Sequence, residues 1–478
     1  MERAEAEAIY DQGREVVVGV LVALSERVAI QDARIERLAA RVEELERRLN
    51  RNSRNSSTPP SQDPPGAPER KRAPSAERSQ GAQPGHLGHG RPLQPMESVE
   101  EVIDHWPLRC GCGHRFSEAE RETLGQPARH QVAELPPIAI LLSEHRLHRL
   151  RCPDCGLTAR AELPPAVAAG AFGPRLQAAI ATLSVRNRVS RRDASELVRE
   201  LFGAQVATGT VDAVLRRAGA ALAEPYASLL DHIRSAPAVS IDETGWRLRG
   251  GKRTLWGAFS ARAAVLRVAP DRHERELRAL LGEEFLGIAL SDRWWAYNGL
   301  PPERRQVCWS HLIRDFTAHA EGLAAERELG EAGLEIAERL FEAWRGFGQD
   351  GDRPALIEGT APLKHELKTL LEKHARKSMR HRRTRTFANN LLKVWPALWT
   401  FAEVEGVEPT NNAAERGLRG AVIYRKLSLG SQSEEGERTI ERLLSVSQTC
   451  RLQGRSLFAY LTDVLTARAR GQPAPLLV

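Results

Sequence analysis

Nine positions spaced alternately three and four residues apart, Leu21, Leu24, Val28, Gln31, Ile35, Leu38, Val42, Leu45 and Leu49, impose the tightest constraint in the chain. On a helix this repeat lays down one narrow apolar seam, which a single helix cannot bury against itself. With Leu21 at position a, the a sites are Leu21, Val28, Ile35, Val42 and Leu49, and the d sites are Leu24, Gln31, Leu38 and Leu45. Branched residues at a with Leu at d favour a parallel two-stranded coil. Arg27 would face Asp32 of a partner and Arg41 would face Glu46, while Arg34 faces only Ala39. Residues 1–50 therefore read as a coiled coil that makes a homodimer; the competing reading is an amphipathic helix lying on its own domain.

The remaining length sets the scale. A chain of 478 residues has room for two to four domains at about 100–200 residues each. Its 69 Lys and Arg against 62 Asp and Glu give a net charge of +7, which permits a polyanionic partner without demanding one. No stretch approaches the ~20 apolar residues of a membrane span. The longest, Val16 to Leu24, follows Glu2, Glu5 and Glu7 and lacks the basic start of a signal peptide. Six cysteines do not make a disulfide scaffold. The expectation is a cytoplasmic protein with no membrane partner.

Residues 51–95 have no hydrophobic period and hold Pro59-Pro60, Pro64-Pro65 and several Gly, a composition that cannot offset chain entropy. From Arg51 to Arg91 there are seven Lys or Arg against three acids, so this disordered basic linker adds non-specific attraction to phosphates. Residues 96–165 carry Cys110-Gly111-Cys112-Gly113 and Cys152-Pro153-Asp154-Cys155-Gly156. Two close cysteine pairs, each followed by Gly, suit two knuckles that deliver four thiolates to one structural Zn²⁺. The single residue between Cys110 and Cys112 strains the first knuckle, and His114 could replace one of them. Four ordinary reduced cysteines are the alternative.

Residues 166–236 read as helical. Ser190 to Leu222 form two helices broken at Phe202-Gly203-Ala204-Gln205, with Ser190 and Thr208 as N-caps. A helix-turn-helix that binds DNA and a plain helical hairpin fit this pattern equally. At residue 237 the pattern changes to strands: Ala238–Asp242, then a turn at Gly250-Gly251, Thr254–Phe259 and Ala263–Val268. A helix over Asp271–Leu281, a strand over Leu286–Asp292 and a strand near Gln306–Trp309 follow. Three antiparallel strands, a helix and two more strands make an α/β sheet of ribonuclease-H-like type over 237–316, with a helical insertion at 317–407 and C-terminal helices at 408–478.

Two of those strands end on a carboxylate, Asp242 and Asp292. If the strands are neighbours, two carboxylates share one end of the sheet, which is costly without a cation. Carboxylate oxygens select Mg²⁺ or Mn²⁺. Two such ions ~3.5–4 Å apart can activate a nucleophile and stabilise the leaving oxygen of a phosphodiester. A third carboxylate from a helix would complete the set. The alternative is that each Asp only caps the turn after its strand.

These residues resemble the DDE transposases of the insertion sequence 66 family, over nearly the whole chain. The segment from Asn52 to Asp63 is similar to that family's entry segment, and Gln83-Pro84-Gly85-His86-Leu87-Gly88 and the cysteine pairs follow in family order. Ile241-Asp242-Glu243-Thr244-Gly245-Trp246 resembles the first catalytic strand, and Ser291-Asp292 with Tyr297 and Asn298 resembles the second. Cys308-Trp309-Ser310-His311 is similar to the family's Cys-x-x-His element. Asn411-Asn412-Ala413-Ala414-Glu415-Arg416-Gly417-Leu418-Arg419 is similar to the segment carrying the third acid. The resemblance implies that Glu415 joins Asp242 and Asp292 as catalytic and metal-binding residues. It implies cleavage at element ends and transfer of the freed 3′-hydroxyl to target DNA. Cys308 and His311 read as site architecture, and Glu243, on the opposite strand face from Asp242, as a neighbour. Four positions depart from the usual family form: Arg293, Trp294, Asp315 and Leu427. They bear on DNA contacts more than on chemistry.

The helical insertion concentrates Lys373, Arg376, Lys377, Arg380, Arg382, Arg383 and Arg385 in thirteen positions. This density points to phosphate contact, as do Arg416, Arg419, Arg425 and Lys426 around Glu415; ion pairs with Glu408 or Glu434 are the alternative for the latter group. DNA is the expected partner, with accessory proteins of the same element a further possibility. Two other function classes fit parts of the pattern: a DNA-binding relative that has lost turnover, and a ribonuclease-H-like nuclease that cuts without joining.

Overall fold

The alternation of apolar residues from Ala238 onward builds a five-stranded mixed sheet in a computed structural model that describes residues 3–49, 92–163, 167, 170–378 and 381–478. Among these, 3–49, 146–195 and 207–478 belong to one compact unit, and 92–145 and 196–206 to a second. Residues 51–91 of the basic linker expected at 51–95, and Arg380, lie outside the described residues.

Helices α1 (Arg3–Tyr10) and α2 (Arg14–Leu49) open the first unit, and the seam side chains from Leu21 to Val42 on α2 are exposed. A hairpin of β1 (Arg149–Arg151) and β2 (Thr158–Arg160) pairs antiparallel around Cys152 and Cys155. Helices α3 (Pro174–Val185), α4 (Arg191–Phe202), α5 (Thr208–Ala221) and α6 (Ala223–Ser235) follow. Ser190 caps α4 as expected, its Oγ accepting from Asp193 N at 3.1 Å. Thr208 does not cap α5: the N-cap is Ala207, and Thr208 is the first helical residue.

The sheet contains β3 (Ala238–Leu248), β4 (Gly251–Phe259), β5 (Ala264–Ala269), β6 (Ile288–Ser291) and β7 (Arg305–Val307), with α7 (Glu274–Leu281) between β5 and β6. Its order is β5-β4-β3-β6-β7; β5, β4 and β3 are antiparallel, and β3, β6 and β7 are parallel. The β3–β4 turn is one residue earlier than the Gly-Gly pair suggests. Leu248 pairs with Gly251, so the turn residues are Arg249 and Gly250, at φ +48° and +81°. A two-residue hairpin of this hand needs positive φ at both positions. Arg249 is held there by Arg249 N donating to Ser431 O at 3.0 Å and Nε to Gln432 O at 2.9 Å.

After the sheet come α8 (Trp309–Ala320), α9 (Ala324–Asp350), α10 (Arg353–Ala375), α11 (Arg382–Lys393), α12 (Thr400–Glu403), α13 (Asn412–Ser428), α14 (Glu434–Leu452) and α15 (Leu457–Ala469). Two cores result. One lies between the sheet and α3, α5, α6, α7, α13, α14 and α15, and includes Val239, Ile241, Leu255, Trp256 and Leu418. The other is formed by α8 to α12 with β6 and β7, and includes Trp309, Phe316, Leu367, Leu398 and Phe401.

Helix α14 covers the free edge of β5. Glu441 Oε1 accepts from Val268 N at 2.6 Å, Ser445 Oγ from Leu266 N at 2.8 Å, and Thr449 Oγ1 from Ala264 N at 3.0 Å. The helical four-residue spacing matches the two-residue spacing of the outward N–H groups, so an edge that would template aggregation is satisfied by side chains. Burial, opposed by Arg438, pushes the Glu441 carboxyl up to about 7. Among the described residues no helix is long and apolar enough to cross a membrane.

Candidate active site

The parallel pairing of β3 with β6 sets Ala238 beside Ile288, Val239 beside Ala289 and Ser240 beside Leu290. Two residues further along each strand stand Asp242 and Asp292, at the same level on neighbouring chains of the sheet. Asp242 Oδ1 accepts from Glu243 N at 2.9 Å, and Asp292 Oδ1 accepts from Trp294 N at 2.8 Å. β3 does not end on Asp242 as the sequence pattern suggests but runs on to Leu248, whereas Asp292 directly follows the end of β6. Each Asp holds its following backbone, leaving its second oxygen free of those bonds.

Glu415 comes from the first turn of α13, which packs on β3 and β4. Close approach depends on Gly417, because a Cβ there would lie 2.3 Å from Phe259 Cε1. Any side chain at 417 would lift α13 from β4 and move Glu415 with it. Asp242 records the convergence electrostatically. Burial first, and then the charges of Glu243, Asp292 and Glu415, push its carboxyl up to about 7 against the opposing Glu243 N–H.

Cys308 ties these elements together. Its N donates to Ser291 O at 2.9 Å, one residue before Asp292, and its Sγ accepts from Asn411 N at 3.2 Å at the start of α13. Asn411 Nδ2 donates to Ile241 O at 2.6 Å, one residue before Asp242. Trp309 N donates to Pro409 O at 2.9 Å. A hydrogen bond joins Cys308 to His311; although burial opposes it, that bond and the imidazole charge lower the thiol's pKa, while the same bond raises His311. His311 also senses Asp292, and its Nδ1 is buried without a hydrogen-bond partner among the described residues. Nothing in the sequence spacing points to Asn411 as the anchor shared by two acid-bearing elements.

Glu243 has its own partners. Its buried carboxylate is gripped by Arg272 and accepts from Tyr297 OH at 2.6 Å. Arg272 lies over the Trp294 ring at 4.3 Å, and Trp294 Nε1 returns a bond to Arg272 O at 3.2 Å. Trp294 is the residue whose N–H holds Asp292, so this cluster braces the Asp292 turn. The unusual Arg293-Trp294 pair is therefore used structurally. Arg293 pairs with the equally unusual Asp315.

The basic residues divide. Arg376, Lys377 and Arg382 are exposed without an ion-pair partner among the described residues. Lys373 pairs with Glu328, and Arg383 with Glu326 at 3.3 Å. Arg385 is partly buried. Around Glu415, Arg416, Arg419 and Lys426 are exposed, whereas Arg425 donates to Gly245 O and to Thr244 Oγ1 at 3.3 Å, holding α13 to β3.

Each cysteine pair forms a tight knuckle within its own unit. Gly113 N donates to Cys110 O at 2.9 Å with Gly113 at φ +98°; Gly156 N donates to Cys152 O at 2.9 Å with Gly156 at φ +72°. Hydrogen bonds from Cys112 lower the Cys110 thiol, and backbone N–H bonds from Cys155 and Asp154 lower that of Cys152. His114 Nε2 is taken by Glu120 at 3.2 Å rather than turned to a sulfur. As placed, no group of three or more His, Cys, Asp or Glu side chains among the described residues stands close enough to hold a metal ion.

The Transposase IS66 family matches residues 169–439, which takes in Asp242, Asp292, Cys308 and Glu415. Residues 2–92 match a family of unknown function (DUF6444). In Sinorhizobium fredii (strain NBRC 101917 / NGR234) the uncharacterized protein y4hP is 26% identical over 78% of this chain and 73% of its own length. The uncharacterized protein y4qI of the same strain is 29% identical over 40% of this chain and 37% of its own. The uncharacterized protein y4jD is 27% identical over 50% and 52%. With the family match spanning more than half of its length, the chain belongs to the IS66 family of transposases.

Proposed function

We propose that this transposase cleaves DNA at the ends of its element and joins the freed 3′-hydroxyl to target DNA, with Asp242, Asp292 and Glu415 as the catalytic acids. The observation that carries the reading is that three acids from separate elements come near enough for the charges of the others to act on Asp242, which burial and the other carboxylates raise to about 7, although the three are not gathered at metal-ligand distance. Uncompensated negative charge in a partly buried site is the environment a hard divalent cation relieves. An oxygen-only donor set fits Mg²⁺ or Mn²⁺ and not softer metals. When bound, two such ions supply an activated water or 3′-hydroxyl and balance charge on the departing oxygen. The chain's own residues fix the donors: Glu243, Arg272 and Trp294 brace Asp292, while Cys308 and Asn411 set the approach of α13.

The sheet order β5-β4-β3-β6-β7, antiparallel then parallel, supports the ribonuclease-H-like reading of residues 237–316, interrupted by α8 to α12 before the third acid. We extend the reading to the flanking regions. Exposed seam residues on α2 support pairing of two chains. The two knuckles support a structural Zn²⁺ on Cys110, Cys112, Cys152 and Cys155. Arg376, Lys377, Arg382, Arg383, Arg385, Arg416, Arg419 and Lys426 serve DNA phosphates, and Arg380 is assigned with them from sequence. Arg425 serves first as a brace.

The test is a cleavage and joining assay on labelled DNA bearing the ends that flank the encoding gene, with Mg²⁺ or Mn²⁺ against EDTA. Metal-dependent nicking and a joined product are expected from the native protein. Glu415→Ala should bind the ends and cut on the order of 10³-fold more slowly; cutting at the native rate would remove Glu415 from the site.

A further inference from the structure

Away from the acids, three arginines converge on one cavity. Arg186 caps the C-terminus of α3, Arg188 follows at φ +61°, and Arg451 lies in the last turn of α14. All three, together with Gly417, Gly420 and Ala421 of α13, line a half-open surface pocket whose enclosed part has room for about one water. The small residues leave this space: a Cβ at Gly420 would sit 3.9 Å from Arg188 Nη1. Among the described residues no carboxylate lies within ion-pair distance of any of the three, and their guanidinium groups make no hydrogen bond. Arginines nearby are treated differently: Arg253 pairs with Glu437, Arg267 with Glu276 and Arg191 with Asp212.

The arrangement opposes itself. Burial first, and then the charge of Arg451 with a further contribution from Arg188, lowers the affinity of Arg186 for its proton. Helix dipoles explain a cation at each of two C-termini, but not their meeting, nor the third arginine. Arg188 also adopts a left-handed backbone that residues with a side chain seldom take. Guanidinium forks match phosphate oxygens two at a time, and a bound anion would relieve the mutual repulsion.

We propose that Arg186, Arg188 and Arg451 form a phosphate site that takes one backbone phosphate of DNA and so positions the strand beside the catalytic helix. Gly420 is five residues beyond Glu415 on α13, or ~7.5 Å along the axis at ~1.5 Å per residue. At ~100° per residue the lining positions Gly417, Gly420 and Ala421 stand roughly 140–240° around α13 from Glu415, so a strand held here runs along the opposite face of the helix that carries the third acid. The contact carries no sequence information, because it reaches only the backbone. The inference rests on the transposase reading above, though binding to this site needs no metal.

The experiment measures binding of a labelled duplex to the full chain in EDTA across a salt titration, with element-end and scrambled sequences in parallel. Arg186→Gln with Arg451→Gln should weaken both sequences alike and flatten the slope of log K against log[salt] by about 1–2. Arg451→Gln alone, at an exposed position, should flatten it by about 1. Arg451→Lys keeps the charge and should keep most of the slope. Native melting of Arg451→Gln with an unchanged slope would overturn the proposal. So would an unchanged slope accompanied by stabilisation of the native chain, but not the variant, by inorganic phosphate, since the occupant would then be free phosphate. Failure of the native chain to bind any duplex would instead overturn the transposase reading itself.

Discussion

Asp242 stands on the central strand β3 and Glu441 on α14, the helix that covers the β5 edge of the same sheet, and burial pushes both carboxyls up to about 7. Their neighbours differ. Glu441 accepts from Val268 N and from Arg438, completing the edge of β5, so every oxygen has a structural use. Asp242 is surrounded by Glu243, Asp292 and Glu415, all of its own sign. A shifted acidity alone therefore does not mark a functional group; the partners that surround it do. One carboxylate is a finished piece of architecture, and the other, on the proposed reading, is an arrangement that a cation would relieve.

Substitution should separate the two. Replacing Asp242 or Glu415 by Ala should cut strand cleavage on the order of 10³-fold with DNA binding retained, while Glu441→Gln leaves cleavage near the native rate in the same assay. Stability should rank them in reverse. Glu441→Leu orphans the Val268 N–H and should cost about 1–3 kcal/mol in denaturant unfolding. Asp242→Asn keeps the bond from Glu243 N, removes repulsion among acids, and should be neutral or stabilising. A destabilising Asp242→Asn would make that residue architecture too.

A smaller effect lies in pH. The Glu441 carboxyl stands at about 7 in the folded chain against an ordinary 4.5. The folded state then holds a proton that the unfolded state has released, so this group's contribution is fully present below the ordinary value and is lost as pH rises through about 7. Glu441→Gln removes that dependence. Its melting temperature relative to the native chain should move in its favour between about pH 5 and pH 8; a constant difference would show that Arg438 and Val268 N–H hold Glu441 ionised throughout.

Local sequence pattern makes some of this legible. Alternating apolar residues place Asp242 and Asp292 on their strands, because a strand's period is written in adjacent residues; the end of β3 is not, since the strand runs past Asp242 to Leu248, where the Arg249-Gly250 turn stops it. The hairpin turn is displaced by one residue from the Gly-Gly pair, since Arg249 takes a left-handed backbone that its side chain disfavours and only contacts from Ser431 and Gln432 support. Thr208 has the side chain of a cap, but Ala207 occupies that backbone position. Glu415 is distinguished among many Glu only by resemblance. The Cys308–Asn411 bond, the Arg272–Glu243 grip and the arginine cavity are not legible, because each joins residues far apart in sequence. Seven basic residues in the insertion read as one phosphate-binding run; ion pairs with Glu328 and Glu326 engage Lys373 and Arg383.

Whether the three acids hold a cation is open to measurement by titrating Mn²⁺ into the full chain, followed by electron paramagnetic resonance at neutral pH. Bound Mn²⁺ that Mg²⁺ displaces is expected, and Asp242→Asn and Glu415→Gln should each weaken it by at least about tenfold, roughly 1.4 kcal/mol. Equal Mn²⁺ affinity in the native chain and both variants would contradict a cation site built from these acids.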